Sequence, residues 1–273
     1  MYKRVFFYLG IILVFSLVSC KNEKNSDLNK INVDTSDQQI DVNKAKEIIY
    51  MLPNPTETAL IIKNSRNTFT DEYLCPYQYV DRYNTSVEEA LALGIYSTDL
   101  SFLTMYGENQ KAVEYVSAVK KLSERLGIIK VINDSLITQL QQNIENKDKV
   151  VSIISETYSD MRAFLEENHR EVLAAYMITA AWVEGLYLSV NLVDNVKTDT
   201  TLIPIIVDQR YSLDNLIDLL KVYQKDENVK LKIQELKELK DIYDKVKLPM
   251  KEEVFDALKT KISLIRNSYI NEL

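Results

Sequence analysis

The stretch EVLAAYMITAAWVEGLYLSVNLVDNV, residues 171–196, is the most apolar part of the chain after its first twenty residues. Between Val172 and Val190 the only charged side chain is Glu184. A helix that is apolar on most sides is either buried at the centre of a bundle or spans a membrane. Because a carboxylate near the middle of a span costs about 2.5–3.5 kcal/mol, we expect a buried central helix and keep the span as the alternative.

Helical patterns fill the chain from residue 43 onward. Glycine and proline number 5 each among 273 residues, well below the roughly 7% and 5% of average usage. This scarcity argues against β-sandwiches, barrels and glycine-rich nucleotide folds, because their many turns need these residues. We predict an all-α bundle of about nine to eleven antiparallel helices in one domain, 43–273. The predicted helices are 43–52, 55–63, 86–106, 109–126, 134–145, 149–167, 171–196, 202–224, 228–247 and 251–271.

Two of these helices carry further signals. Thr85 or Ser86 can cap the helix 86–106, with Glu88 and Glu89 as capping-box acids in its first turn, and Gly107 ends it. Helix 228–247 has an apolar seam with charged flanks, which we interpret as internal packing, with a dimer coiled coil as the alternative.

One of the predicted helical hairpins has a repeat-like pattern. Residues 91–122 loosely resemble a tetratricopeptide repeat, but Gly94 and Ala112 are about six residues too far apart for it. No second copy of the pattern follows in the sequence. We therefore interpret this part as one long helical hairpin of the same general kind.

The N-terminus predicts export and a lipid anchor. Residues 1–19 have the three parts of a secretory signal peptide: two basic residues, a short apolar run and small residues before a break. The residues LVSC at 17–20 resemble the lipobox of bacterial lipoproteins. That resemblance implies cleavage before Cys20 and attachment of acyl chains such as palmitate to its sulfur. The alternative is a secreted protein in which this cysteine is incidental.

Residues 20–42 read as the lipidated cysteine followed by a flexible tether, because they are polar and have little apolar periodicity. Without the signal peptide the chain has 31 basic and 40 acidic side chains, a charge of −9. An acidic protein is a poor match for nucleic acid or for anionic lipid surfaces. We therefore expect the anchor at Cys20 to hold the protein at the outer membrane. Which face it occupies is left open, and envelope proteins are the expected partners.

The sequence offers few side chains for catalysis or metal binding. The one histidine, His169, lies in a polar junction between two predicted helices, and no G-x-S-x-G nucleophile elbow occurs. One histidine and two cysteines are too few for a zinc site, and no calcium or phosphate loop is present. We expect no catalytic residue, no metal and no cofactor.

Cys75 is the remaining thiol if Cys20 is lipidated. Its apolar neighbours predict a buried, inert side chain, whereas a reactive thiol would need a cation, the nearest in sequence being Arg82. The surrounding segment is rich in tyrosine. These rings either pack over the helices, which is our preferred interpretation, or stack on sugars or a protein partner. They belong to Tyr73, Tyr77, Tyr79 and Tyr83.

Three charged residues stand out in apolar helical segments: Asp99, Glu184 and Arg210. A buried carboxylate needs a cationic partner or a proton, and Arg210 is the cation that we predict both acids share. One hypothesis is a polar pocket that binds a small ligand. The other is an internal ion pair that fixes the helices in register, and we prefer it.

Four stretches carry a resemblance that covers most of the chain beyond the signal peptide. Together they are similar to a group of uncharacterised helical lipoproteins of Bacteroidetes. The resemblance implies the lipid anchor and the helical fold and carries no mechanism. The sequence therefore predicts a non-catalytic interaction or structural module of the cell envelope, with a small-ligand-binding lipoprotein as the alternative. The four stretches are LVSC (17–20), GIYSTDLSF (94–102), AAWVEGLYL (180–188) and DQRYSLDNLIDLL (208–220).

Overall fold

The computed structural model describes residues 35–271 except 67, 129 and 144, with side chains from residue 43 onward. The predicted signal peptide and Cys20 lie outside the described residues. The described part of the chain is an all-α bundle, as predicted, and no strand occurs in it. Between α2 and α3 lies a short 3₁₀ helix, Tyr77–Arg82. The α-helices are α1 (Thr35–Met51), α2 (Pro55–Ser65), α3 (Ser86–Tyr106), α4 (Asn109–Arg125), α5 (Asp134–Gln142), α6 (Lys147–Glu167), α7 (Glu171–Asn191), α8 (Leu202–Val222), α9 (Glu227–Tyr243) and α10 (Glu252–Tyr269).

Helices α3 and α7 form the centre of the bundle and make its most extensive helix pairing. Every α3 residue from Glu89 to Met105 is buried, as is nearly all of α7. Among the described helices, α7 alone is long and apolar enough to cross a membrane, with a mean hydropathy of 1.4. However, 89% of that apolar stretch is buried against other helices. The sequence prediction of a central buried helix is therefore confirmed.

The two central helices approach each other most closely at Gly94. A Cβ atom at this position would collide with the carbonyl oxygen of Met177 and lie 2.9 Å from the backbone nitrogen of Ala181. The Thr98 hydroxyl lies 3.1 Å from the Gly94 carbonyl and 3.3 Å from that of Ala181, and donates to these acceptors. Since the backbones are in direct contact here, the crossing requires the absence of a side chain on α3.

The other helices surround this pair. Helices α2, α4, α6, α8 and α10 each pack on α3, on α7 or on both, and α9 lies outside them against α8 and α10. The apolar seam of α9 faces inward and is buried, so it serves internal packing, as we predicted. The buried seam residues are Val229, Ile233, Leu236, Leu239 and Tyr243.

Local capping explains where the central helix α3 begins and ends. The Thr85 side chain accepts a hydrogen bond from the backbone nitrogen of Glu88, whose carboxylate accepts one from the Thr85 backbone nitrogen in return. This capping box satisfies backbone donors at the helix start. At the other end Gly107 adopts a left-handed conformation with φ of 78°, which glycine enters without strain. Both signals were predicted from the sequence.

The structure corrects two predicted boundaries. Helix α1 begins at Thr35, so the last part of the predicted tether 20–42 is helical. That segment contains no glycine or proline, and extending a helix costs far less than starting one. Helix α7 ends at Asn191 rather than at residue 196. The carbonyl of the next residue, Leu192, accepts a hydrogen bond from the Arg66 side chain instead of from a further turn of the helix, and the Asn195 side chain supports a turn by accepting one from the backbone nitrogen of Lys197.

Candidate functional site

A buried cluster of charged groups lies where α3, α7 and α10 meet. Glu184 on α7 is wholly inaccessible to solvent, and Arg266 on α10 is 3% exposed. The Arg266 guanidinium donates twice to this carboxylate, from Nε to Oε2 at 3.0 Å and from Nη2 to Oε1 at 3.4 Å. The guanidinium carbon also lies 4.8 Å from the ring centre of Tyr187. A bidentate contact of this kind fixes the relative position of the two helices.

Asp99 on α3 is the second buried acid of the cluster and has no exposed surface. Its Oδ2 accepts a hydrogen bond of 3.0 Å from the backbone nitrogen of Cys75. Its carboxyl group is also within hydrogen-bonding reach of Glu184, a contact between two acids that requires a proton on one of them. Burial and then the negative charge of Glu184 raise the pKa of Asp99 well above its usual range, while Arg266 acts against them. We infer that Asp99 is a neutral acid at neutral pH and leaves the guanidinium to Glu184.

Replacing Asp99 with Asn should remove part of the pH dependence of stability. The raised pKa keeps a proton on folded Asp99 that the unfolded chain loses above about pH 4. The stabilisation from this group is therefore complete at acidic pH and is lost as the pH rises through the folded pKa. Urea unfolding at pH 5 and pH 7 should show a smaller decrease for Asp99→Asn than for the wild type.

The control for this experiment is Asp241→Asn, at an exposed position on α9. It should keep the wild-type decrease between the two pH values. If Asp99→Asn also keeps that decrease, the Asp99 carboxyl is ionised in the folded protein and our assignment of its protonation is wrong.

The tyrosine-rich segment closes over this cluster. The Tyr115 hydroxyl donates to the carbonyl of Cys75 at 2.8 Å, and the Tyr96 hydroxyl donates to that of Pro76 at 2.9 Å. Tyr83 is buried, and the other three predicted tyrosines are half-buried against the core. The preferred interpretation of this segment, packing over the helices, is therefore confirmed. The half-buried rings are those of Tyr73, Tyr77 and Tyr79.

Cys75 is a buried thiol with no exposed surface. Burial raises the pKa of this thiol to about 12, although the charge of Arg266 lowers it to a smaller degree. The side chain is therefore uncharged at neutral pH and weakly nucleophilic. Arg82, the nearest cation in sequence, is exposed and lies over the Tyr79 ring instead. The predicted inert cysteine is confirmed.

The sequence prediction named the wrong cation. Arg210 is half-buried on α8, and its guanidinium carbon lies 5.4 Å from the ring centre of Tyr211. Within the described residues no ion pair joins it to Asp99 or Glu184. The place beside Glu184 that we predicted for Arg210 is occupied by Arg266. That residue lies on the apolar face of α10 among buried residues, and this pattern was a signal that could have identified it.

The polar ligand pocket predicted around these residues gains no support from the structure. Asp99 and Glu184 have no solvent-exposed surface, so a ligand could reach them only after the central helices had separated. His169 lies apart from them, between α6 and α7, with a side chain that is 94% exposed. The described residues also contain no group of three acidic, histidine or cysteine side chains arranged for a metal ion.

Comparison with known proteins gives no relative from which a function could be transferred. No protein-family model, no curated protein and no solved structure matches this chain. The lipobox and the likeness to Bacteroidetes lipoproteins therefore stay predictions. The function has to be argued from the residues of this chain.

Proposed function

We propose that this protein is a non-catalytic interaction or structural module of the cell envelope, held at the outer membrane by a lipidated Cys20. The observation that carries the proposal is the burial of the side chains best suited to chemistry. Asp99, Glu184, Arg266 and Cys75 are each at most 3% exposed. They contact neighbouring helices rather than solvent, which favours a role in holding the bundle together.

The acidic surface supports the same proposal. With a charge of −9 the processed chain has little electrostatic attraction to anionic lipid headgroups or to nucleic acid. Stable attachment to a membrane then requires the acyl chains, several of which anchor a protein far more firmly than one. A module placed at the membrane in this way would act through contacts between its helical surface and other envelope proteins.

The proposal predicts that Cys20→Ala releases the protein from the outer membrane. Cells that express the wild-type chain or this variant would be treated with a cross-linker, fractionated and used for affinity purification. We expect the wild type in the outer-membrane fraction together with at least one enriched envelope protein, and we expect the variant to lose both.

Cys75→Ala is the matched control, because it removes the other cysteine, which is buried and far from the predicted anchor in sequence. It should fractionate like the wild type. A wild-type chain that is recovered without acyl groups would contradict the anchor. The absence of an enriched partner in every sample would contradict the interaction role.

A further inference from the structure

An apolar cleft lies between α3, α4, α5 and α6, away from the buried charged cluster. It has two lobes with cavity volumes of about 30 Å³ and about 40 Å³, room for a few water molecules at most. The lobes are parts of one cleft, because they share five lining residues. These are Leu100 on α3, Val116 on α4, Ile137 and Leu140 on α5, and Ile154 on α6.

The walls of this cleft offer apolar contact and little else. No charged residue lines either lobe. Three of the four lining residues that carry a hydroxyl group, all but Tyr158, already donate to the backbone of their own helices. These bonds run from Ser97 to Leu93 at 2.7 Å, from Thr104 to Leu100 at 2.8 Å and from Thr157 to Ile153 at 2.6 Å. A ligand group with a charge would lose its hydration here and gain no compensating partner. The lining therefore selects an aliphatic chain, whose charged or polar end has to lie outside it.

Polar groups occur at one end of the cleft. The second lobe is lined there by Asn109 at the start of α4 and by Gln141 near the end of α5. Gln141 is exposed to solvent. Once the cleft has opened, a molecule with an aliphatic chain and one polar end would therefore lie with its chain between the helices and its polar end at this side.

Helix α5 covers the cleft and is held weakly. It has nine residues, none of them buried, and it makes only sparse contacts with the other helices. A helix of this length is unstable by itself in water, so its position depends on the half-buried side chains that it turns toward the cleft. The ion pair of Lys120 with Asp134 adds little, because the aspartate side chain is 93% exposed. Those half-buried side chains are Leu136, Ile137 and Leu140.

We infer that this cleft binds a single aliphatic chain, such as the hydrocarbon chain of a fatty acid or of a membrane lipid, and that α5 is a lid that moves to admit it. With α5 in place the cleft is narrow, and entry requires the lid to shift. Lifting α5 breaks the contacts of three half-buried side chains and of no fully buried residue of α5 itself, so the opening costs less free energy than unfolding the bundle. The inference does not depend on lipidation of Cys20.

Photolabelling of the purified full chain tests this inference. The probe is palmitic acid that carries a diazirine in its chain and an alkyne for detection, and labelled positions are mapped by mass spectrometry of peptides. We expect most of the label in peptides from α4, α5 and α6, and we expect an excess of unlabelled palmitic acid to remove it. A phospholipid with the same diazirine-bearing chain forms a second arm: labelling by both probes indicates a lipid-borne chain, and labelling by the fatty acid alone indicates a free one.

Two variants separate the cleft from general surface labelling. Val116→Phe fills the wall that both lobes share, and Ile137→Glu places a charge on the inner side of the lid. Each should reduce the label in these peptides about tenfold, equivalent to about 1.4 kcal/mol of binding free energy. Leu231→Phe is the control, because it adds the same ring at an α9 position that is 58% exposed, and it should label like the wild type.

Circular dichroism of each variant shows whether the helices remain. The inference is overturned if a folded Ile137→Glu or Val116→Phe protein keeps the wild-type label. It is also overturned if the wild-type label is spread evenly over surface peptides, or is absent from α4, α5 and α6. These outcomes are independent of the predicted anchor, because loss of membrane attachment leaves the labelled peptides unchanged.

Discussion

Replacing Arg266 with Met should lower the free energy of unfolding by about 3–5 kcal/mol. The substitution leaves Glu184 without its cation at a position that has no access to solvent. The buried carboxylate must then remain charged at a high desolvation cost, or take up a proton that a solvent-exposed carboxylate would not bind at neutral pH. Asp99 offers no compensating charge, because it is a second buried acid and its raised pKa keeps it neutral. Urea unfolding of the purified protein at pH 7 measures the effect.

Glu184→Gln should destabilise the protein by a similar amount, because it removes the negative charge that lies against the buried guanidinium. The double variant Glu184→Leu/Arg266→Met should recover most of the loss, since apolar side chains of similar size can replace a buried ion pair at little cost. Arg125→Met is the matched control: Arg125 pairs with Asp81 at the surface, and its loss should cost about 1 kcal/mol or less. If the double variant is as unstable as the two single losses combined, the pair does not act as a unit.

A Glu184→Gln protein of unchanged stability would have a different meaning. It would show that the carboxylate is retained for a purpose other than folding. A search for a ligand at the charged cluster would then replace the structural interpretation.

Gly94→Ala should destabilise the protein by about 3 kcal/mol, at the upper end of the range for overpacked cores. The added methyl group collides with the carbonyl oxygen of Met177 and lies within 3.0 Å of the Ala180 Cβ atom. Because the collision is with helix backbone, the two central helices have to move apart, and their close packing along the crossing is lost. The higher helix propensity of alanine, about 1 kcal/mol, offsets only part of this loss. Thermal or urea unfolding would show the difference.

Gly185→Ala is the control for this prediction, because Gly185 is also a glycine inside a central helix. Its added methyl group would meet only the side chain of Thr58, with 2.6 Å to the Cγ2 atom. A side chain can rotate away, so the expected loss is much smaller than at Gly94. Equal losses at the two positions, or a Gly94→Ala protein as stable as the wild type, would show that the helix crossing tolerates a wider separation than the structure indicates.

The sequence was sufficient for the features that depend on local pattern. The apolar run around Glu184 predicted the central helix α7, and Thr85, Glu88 and Gly107 predicted the ends of α3. Capping and hydrophobic periodicity act within a few residues, so they can be recognised in one segment at a time. The inert state of Cys75 was also predictable from its apolar neighbours.

Features that depend on which helices meet were not predictable in the same way. Glu184 and Arg266 are 82 positions apart in the chain. The apolar face of α10 marks Arg266 as a buried cation, but that α10 packs on α7, and so brings Arg266 rather than Arg210 to Glu184, is specified by no local pattern. The cleft below α5 is a further case, because a space between helices arises from how four surfaces fit and has no signature in any one of them. The early start of α1 was missed because its first residues are polar and favour a tether by composition.

The central helix pair also determines the order in which the chain can fold. Helix α3 ends at residue 106 and α7 begins at residue 171, so their contact closes a long loop, at a cost in chain entropy that precedes the gain from packing. Helices α2 and α4 can pair with α3 early, because they are its neighbours in sequence. During synthesis, however, part of the apolar surface of α3 stays uncovered until α7 has been made. Aggregation competes with folding during this interval, and a chaperone that covered α3 would favour the native bundle.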